Sequence, residues 1–288
     1  MGWECTKIPK IANFYWDLSP LSLLNLLTLR SFKDLNPDWV VNLYTPKFKY
    51  ETISWSGTNQ KDMYTNTNYL PYIKEYCDNI IEIDFEDIGF YNTVSEVYKS
   101  DFLRWYLLST EGGLWSDMDV LYLKPMSTLN YSKYMISGNA VDLDLTIVEE
   151  RSNDYANYLI GFLLASPNNS FYKRIMDNSI KSFDTNEYQS IGNKLIRKLY
   201  PDIFDIECLH SDLSIAQLTL PVIYPYDYRD LSWLFFNSTQ DLILPDTIGI
   251  HWYNADSQAK QYCNNLDLTN LGDSIMDNLL KKIKFNFK

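Results

Sequence analysis

Residues 93–119 constrain the fold more than any other stretch. From Thr93 the residues Val94, Val97, Tyr98, Phe102, Trp105 and Leu108 recur at spacings of three and four, which places them on one face of a helix. Gly112-Gly113 ends that helix, with Gly112 suited to the left-handed capping position. Leu114–Ser116 then run as a strand into Asp117-Met118-Asp119, and Val120-Leu121-Tyr122-Leu123 continue to a stop at Lys124-Pro125.

The same alternation of elements opens the chain. Lys10–Trp16 reads as a buried strand, Ser19-Pro20 as an N-cap with a first-turn proline, and Leu23, Leu24, Leu27 and Phe32 as a helix that Asn36-Pro37 stops. Trp39–Tyr44 and Ile80–Phe85 read as further strands, separated by a Tyr- and Asn-rich insertion over Tyr50–Tyr76 that has no clear period. Strand and helix signals in this order predict an α/β fold with a mostly parallel sheet flanked by helices. In such sheets ligands bind beyond the carboxyl ends of strands, where Asp117 and Asp119 fall. With 288 residues, 46% of them hydrophobic, and no repeat or low-complexity linker, the chain is expected to form one domain over 1–288. Its core spans about 8–254, with helical insertions and a helical tail over 265–288.

A net charge of -12 argues against a broad polyanion-binding face, because such faces work through many Lys and Arg side chains. A small anionic ligand must be held by few basic groups or by a metal. The one basic cluster, Lys281, Lys282, Lys284 and Lys288, reads as a solvated helix end. Four cysteines without a C-x-x-C pair, and only two histidines, argue against structural zinc and fit reduced thiols in a cytoplasmic protein. The start lacks a signal-peptide pattern, and no stretch approaches the roughly 18 apolar residues of a membrane span. Gly2 and Thr6 fit a loose myristoylation pattern, read here as chance.

In extended backbone, side chains two apart share a side, so Asp117 and Asp119 are expected to converge on one ligand. Two carboxylates that close need a cation, and their oxygens suit Mg²⁺ or Mn²⁺, ions that commonly complete their shells with substrate phosphates. The triplet alone is weak evidence, for Asp142-Leu143-Asp144 repeats it. Asp101 and Arg104, three apart on the preceding helix, bring an acid and a guanidinium to the same corner.

The stretch Ser100-Asp101-Phe102-Leu103-Arg104, with Gly112-Gly113-Leu114-Trp115-Ser116-Asp117-Met118-Asp119 after it, resembles the glycosyltransferases that carry a DXD sugar-binding region. That group includes yeast initiating mannosyltransferases, capsular sugar transferases and the glucosyltransferase domains of clostridial toxins. Ile8–Trp16 and Asn36-Pro37-Asp38-Trp39 are similar to its first strand and its N-P-x-W segment, and Gly249-Ile250-His251-Trp252 to its distal histidine segment. The resemblance implies a GT-A nucleotide-diphospho-sugar fold, a divalent metal (Mn²⁺ or Mg²⁺) and retention of anomeric configuration. It implies that Asp101, Arg104, Asp117 and Asn157 serve the donor sugar and catalysis, and that Asp117, Asp119 and His251 hold the metal. Phe14, Tyr15 or Trp16 would stack on the base, and Trp252 would join the nucleotide site. UDP-glucose or another UDP-hexose is the expected donor, and the acceptor hydroxyl belongs to a glycan, lipid, protein or modified nucleic acid.

Asn13 stands where the family usually has His, and Trp115 where Tyr is commoner. Two other readings compete. A haloacid-dehalogenase-like phosphohydrolase also uses D-x-D, but Leu121 stands where it wants Thr or Val and Ser116 interrupts its apolar strand. A non-catalytic carbohydrate-binding module would use the 16% aromatic content but needs no paired carboxylates.

Overall fold

The computed structural model describes residues 5–49, 64–151, 156–238 and 241–283. Gly2, the first part of the 50–76 insertion, and Lys284 and Lys288 lie outside them. The chain opens with strand β1 (Ile11–Tyr15), helix α1 (Leu23–Leu35) and strands β2 (Val40–Pro46) and β3 (Asn79–Ile83). Helix α2 (Glu96–Thr110) leads to β4 (Gly113–Ser116) and β5 (Val120–Tyr122). Then follow β6 (Met135–Ser137), β7 (Leu145–Arg151), β8 (Ala156–Tyr158) and β9 (Phe162–Ala165). Helices α3 (Ser170–Ser182), α4 (Asn193–Leu199) and α5 (Ile203–Leu209) precede β10 (Ile215–Leu218) and α6 (Leu231–Phe236). Strand β11 (Gly249–His251) and helices α7 (Ser257–Asn265) and α8 (Ile275–Lys282) complete the described part.

The main sheet has the order β3-β2-β1-β4-β9-β7-β10-β6. Its first four strands are all parallel, and β9 runs antiparallel between β4 and β7. Strand β7 therefore points the same way as β4, β10 lies parallel to it, and β6 and β8 add antiparallel edges. Short strands β5 and β11 pair with each other outside this sheet. The expected α/β architecture is met, with an antiparallel insertion in the second half of the sheet.

Central strand β1 is buried on both faces, and its side chains sort by alternation. Phe14 packs against Phe32 of α1, whereas Tyr15 joins the apolar cluster around Trp105 of α2. A ladder of amides crosses the parallel strands, Asn79 donating to Asn42 at 2.9 Å and Asn42 to Asn13 at 3.1 Å. Asn13 thus has a structural task, and it is fully buried.

Two helix starts differ from the sequence reading. Helix α1 is capped by the Ser22 hydroxyl, which accepts from the Asn25 amide at 3.2 Å, while Ser19 bonds Asp17 instead. Helix α2 begins at Glu96, after Ser95-initiated turns, rather than at Thr93. At its other end the two glycines are required. Both have positive φ, at 72° and 90°. A Cβ on Gly112 would stand 2.6 Å from the Ala165 carbonyl oxygen, and one on Gly113 2.5 Å from that of Ile11. The pair lets β4 enter between β1 and β9 directly from the helix.

Candidate active site at the carboxyl end of β4

Strand β4 stops at Ser116, and Asp117, Met118 and Asp119 form a turn rather than the extended run expected. The carboxylates converge because the chain reverses there, not because side chains alternate along a strand. The Asp117 amide donates to the Gly161 carbonyl at 2.9 Å, and the Asp119 carbonyl accepts from the Trp252 amide at 2.8 Å. Asn25 and Thr28 of α1 donate to the Met118 carbonyl at 2.8 and 3.0 Å. The turn is thus held from α1, from Gly161 and from Trp252.

Pairing of β11 with β5 delivers His251 to the turn. Its Nε2 lies 3.1 Å from Asp119 Oδ1 and 3.9 Å from Asp117 Oδ2. One ligand atom from each of the three residues falls within 4.8 Å of the others. Mixed carboxylate and imidazole donors at this spacing fit a divalent cation. A second observation supports that fit. A Cβ on Gly161 would stand 2.8 Å from Asp117 Oδ2 and 3.0 Å from both His251 Cδ2 and the Tyr224 hydroxyl, so the glycine keeps the mouth of the cluster open.

Charge is arranged tightly behind the cluster. Arg104 of α2 donates to Asp101 at 2.8 Å and to Asp117 Oδ1 at 2.9 Å, and the Trp115 indole adds a second bond to the same Asp117 oxygen at 2.9 Å. The Asp101–Arg104 pair is buried, each side chain 4% exposed, unlike a solvated ion pair on a helix surface. Burial pushes the Asp101 carboxyl up to about 6 against the pull of Arg104. Burial also works against ionised Asp117, but Arg104 and His251 outweigh it and hold the carboxyl down at about 2. For His251 burial disfavours the charged form, and the two aspartates overcome it to raise the imidazole to about 9. Asp119 Oδ2 accepts from the Asn254 amide at 2.8 Å, which leaves Oδ1 facing His251.

These groups open into a cavity of about 410 Å³. Tyr15, Trp16, Asp101, Arg104, Asp117, Asp119 and His251 all line it, as does Trp115. Three other residues sit elsewhere. Phe14 is fully buried in the core beside α1. The Trp252 ring packs among Leu24, Leu27 and Leu280, so its link to the site runs through its backbone. Asn157 lies one step behind the wall, accepting from Asn193, which does line the cavity, at 3.0 Å. Among the described residues, Asp101 Oδ2 and the Tyr224 hydroxyl are buried without a hydrogen-bond partner. Sequence reading missed Gly161, Tyr188, Tyr224 and Tyr228, which reach the cavity from loops without periodic pattern.

Residues 25–136, less than half of the 288-residue chain, match the description "Glycosyltransferase sugar-binding region containing DXD motif". Over this segment the chain is similar to the DXD glycosyltransferases. The initiation-specific alpha-1,6-mannosyltransferase of Saccharomyces cerevisiae is 27% identical over 114 residues, which are 38% of this chain and 23% of that protein. The chain thus matches about a quarter of the length of that relative. Among solved structures, the PaToxG glycosyltransferase is similar at 15% identity and a TM-score of 0.48, covering 91% of this chain and 88% of that one. The galactosyltransferase LgtC, solved with donor and acceptor sugar analogs, is similar at 12% identity and a TM-score of 0.37, with 84% and 87% covered. The α/β sheet ends its parallel half at the D-x-D turn of the matched segment. Among the described residues no helix is long and apolar enough to cross a membrane.

Proposed function

We propose that the chain, as one unit, is a divalent-metal-dependent hexosyltransferase that takes its sugar from a nucleoside diphosphate, UDP in the first place, and retains the anomeric configuration. The observation that carries this reading is the convergence of Asp117, Asp119 and His251 within 4.8 Å at the mouth of the cavity. Asp117 Oδ2, Asp119 Oδ1 and His251 Nε2 would hold Mn²⁺ or Mg²⁺, which when bound neutralises charge on a departing diphosphate. Tyr15 and Trp16 supply ring faces for the base, since both line the cavity at the end of β1.

Asp101 and Arg104 orient the sugar. Arg104 spends one nitrogen on each aspartate, which fixes both carboxylates, and Asp101 Oδ2 remains as a buried acceptor for a sugar hydroxyl. Asp101 is mostly ionised at neutral pH with its carboxyl at about 6, so it can accept such a bond. In the transfer, an acceptor hydroxyl oxygen bonds to the anomeric carbon as that carbon's bond to the diphosphate oxygen breaks. The hydroxyl proton passes to water, and the nucleoside diphosphate leaves as the second product.

A panel of nucleotide sugars with and without Mn²⁺, read by nucleotide release and thermal shift, tests the reading. UDP with Mn²⁺ is expected to raise the melting temperature of the wild type, and Asp119→Ala to cut metal-dependent turnover at least about a thousandfold with the fold intact. Full turnover in that variant overturns the proposal. NMR of the first-formed product reports whether the anomeric configuration is kept.

A further inference from the structure

The cavity straddles the end of β4, and its two halves differ in chemistry. On one side stands β1, with Tyr15 and Trp16. On the other side, beyond β9 and β7, stands β8 with Tyr158, joined by Tyr188, Gln189 and Asn193 and by the loop residues Tyr228 and Tyr253. Tyr228 is 58% exposed, with the Arg229 guanidinium 5.4 Å from its ring centroid, and Tyr188 is 38% exposed.

The charged groups around this second half are already engaged with one another. Arg229 bonds Asp227 and reaches Glu150 at 3.5 Å, and Glu150 also accepts from Asn157 at 3.4 Å. Asp230 accepts from the Asp227 amide at 3.4 Å, and Asp256 caps α7 by accepting from the Gln258 amide at 2.7 Å. Among the described lining residues the basic groups are Arg104, held by Asp101 and Asp117, and His251, held between Asp117 and Asp119. What this half leaves to a ligand is therefore phenol rings and the amides of Gln189, Asn193 and Asn254. Ring faces against C–H surfaces, with amides for hydroxyls and no free charge, are the recognition chemistry of an uncharged pyranoside.

We infer that the half of the cavity walled by Tyr158, Tyr188, Tyr228 and Tyr253 is an acceptor subsite for a neutral glycan, selective against phosphorylated or carboxylated acceptors. An anion placed there would meet Glu150, Asp227 and Asp230, whose charges also bear on the Tyr253 hydroxyl, while the nearby cations, Arg229 and His251, are already paired with carboxylates. The inference rests on the transferase reading for its name as an acceptor site, but its binding chemistry is testable without turnover.

Ligand-observed NMR on the full chain would compare neutral gluco-, galacto- and manno-oligosaccharides with their 6-phosphate and uronic acid counterparts. Neutral members are expected to bind at least about tenfold more tightly. Tyr228→Ala is expected to weaken them about tenfold and Tyr228→Phe to restore them, since the ring face carries the contact. Equal or tighter binding of the charged counterparts overturns the inference, as does an unchanged affinity in Tyr228→Ala. So does binding of a basic peptide or of phosphatidylserine vesicles in place of every neutral sugar. Nucleotide release with UDP-hexose and Mn²⁺, measured in parallel, distinguishes the two levels. Neutral-glycan binding without nucleotide response rejects the transferase and keeps the sugar site, whereas nucleotide turnover without glycan preference does the reverse.

Discussion

The chain contains two D-x-D triplets at opposite edges of the same sheet, and the contrast between them shows what makes such a triplet a site. Asp117-Met118-Asp119 follows the carboxyl end of β4, while Asp142-Leu143-Asp144 precedes the amino end of β7, which runs the same way as β4. At the first, the carboxylates keep oxygens directed at a cavity and at His251. At the second, Asp144 spends both oxygens on the protein itself. Lys7 reaches them at 3.0 and 3.1 Å, the Ser166 hydroxyl bonds Oδ1 at 3.1 Å and the Ser214 amide bonds Oδ2 at 2.9 Å. Asp142 lies exposed and bonds Asn139, so this pair diverges. Strand polarity decides the outcome, because chain leaving a carboxyl end is free to turn over the sheet edge and meet loops from elsewhere.

Mutation should separate the two triplets. Against the thousandfold loss of turnover expected for Asp119→Ala, Asp144→Ala is expected to lower unfolding free energy by about 2–4 kcal/mol, because it strands a buried amide and a buried hydroxyl together. Turnover per folded molecule should stay within about twofold of wild type. Urea denaturation beside a donor-turnover assay makes the comparison. A large activity loss in fully folded Asp144→Ala would erase the distinction drawn between the triplets.

Much of this contrast is legible in sequence, and the illegible part has a physical cause. The glycine pair, the 101/104 spacing and the position of the first triplet after an apolar strand all read correctly, because each is a local pattern. The direction of approach did not. Alternation along an extended strand was expected to align Asp117 and Asp119, whereas a turn held by α1, Gly161 and Trp252 does so. Three aromatic residues in a row, Phe14 to Trp16, could not be sorted by burial pattern, since β1 is covered on both faces. Gly161, Tyr188, Tyr224 and Tyr228 carry no local signal at all, because long-range contacts alone give them a role.

The first triplet also differs from the second in having a histidine, which would make the affinity for the proposed cation depend on pH. In the metal-free protein His251 is raised to about 9, so at neutral pH it carries a proton that a cation must displace. Its folded value lies above the ordinary imidazole value. The stability that this pairing gives the metal-free protein is therefore complete below about pH 6.5 and is lost as pH rises toward 9. Mn²⁺ affinity should climb with pH over the same window, approaching tenfold per unit, and close to one proton should leave per ion bound at pH 7. Calorimetry in buffers of different ionisation enthalpy counts that proton. A pH-independent affinity between 6 and 8 would mean that His251 is not a ligand.

A subtler difference is the space kept in front of the first triplet. Gly161 has an ordinary backbone, so Gly161→Ala strains no φ angle; its cost is the Cβ, 2.8 Å from Asp117 Oδ2 and 3.0 Å from His251 Cδ2. Contacts that short must be relieved by moving the carboxylate or the imidazole, each of which is fixed by other bonds. Mn²⁺ affinity is expected to fall about tenfold in this variant, with unfolding free energy lowered by about 1–3 kcal/mol, the usual cost of overpacking. Electron paramagnetic resonance of free Mn²⁺ measures the first and denaturation the second. The metal readout matters more, since a destabilised variant that still binds Mn²⁺ at wild-type affinity would show that the opening beside Asp117 is not where the ion enters the cluster.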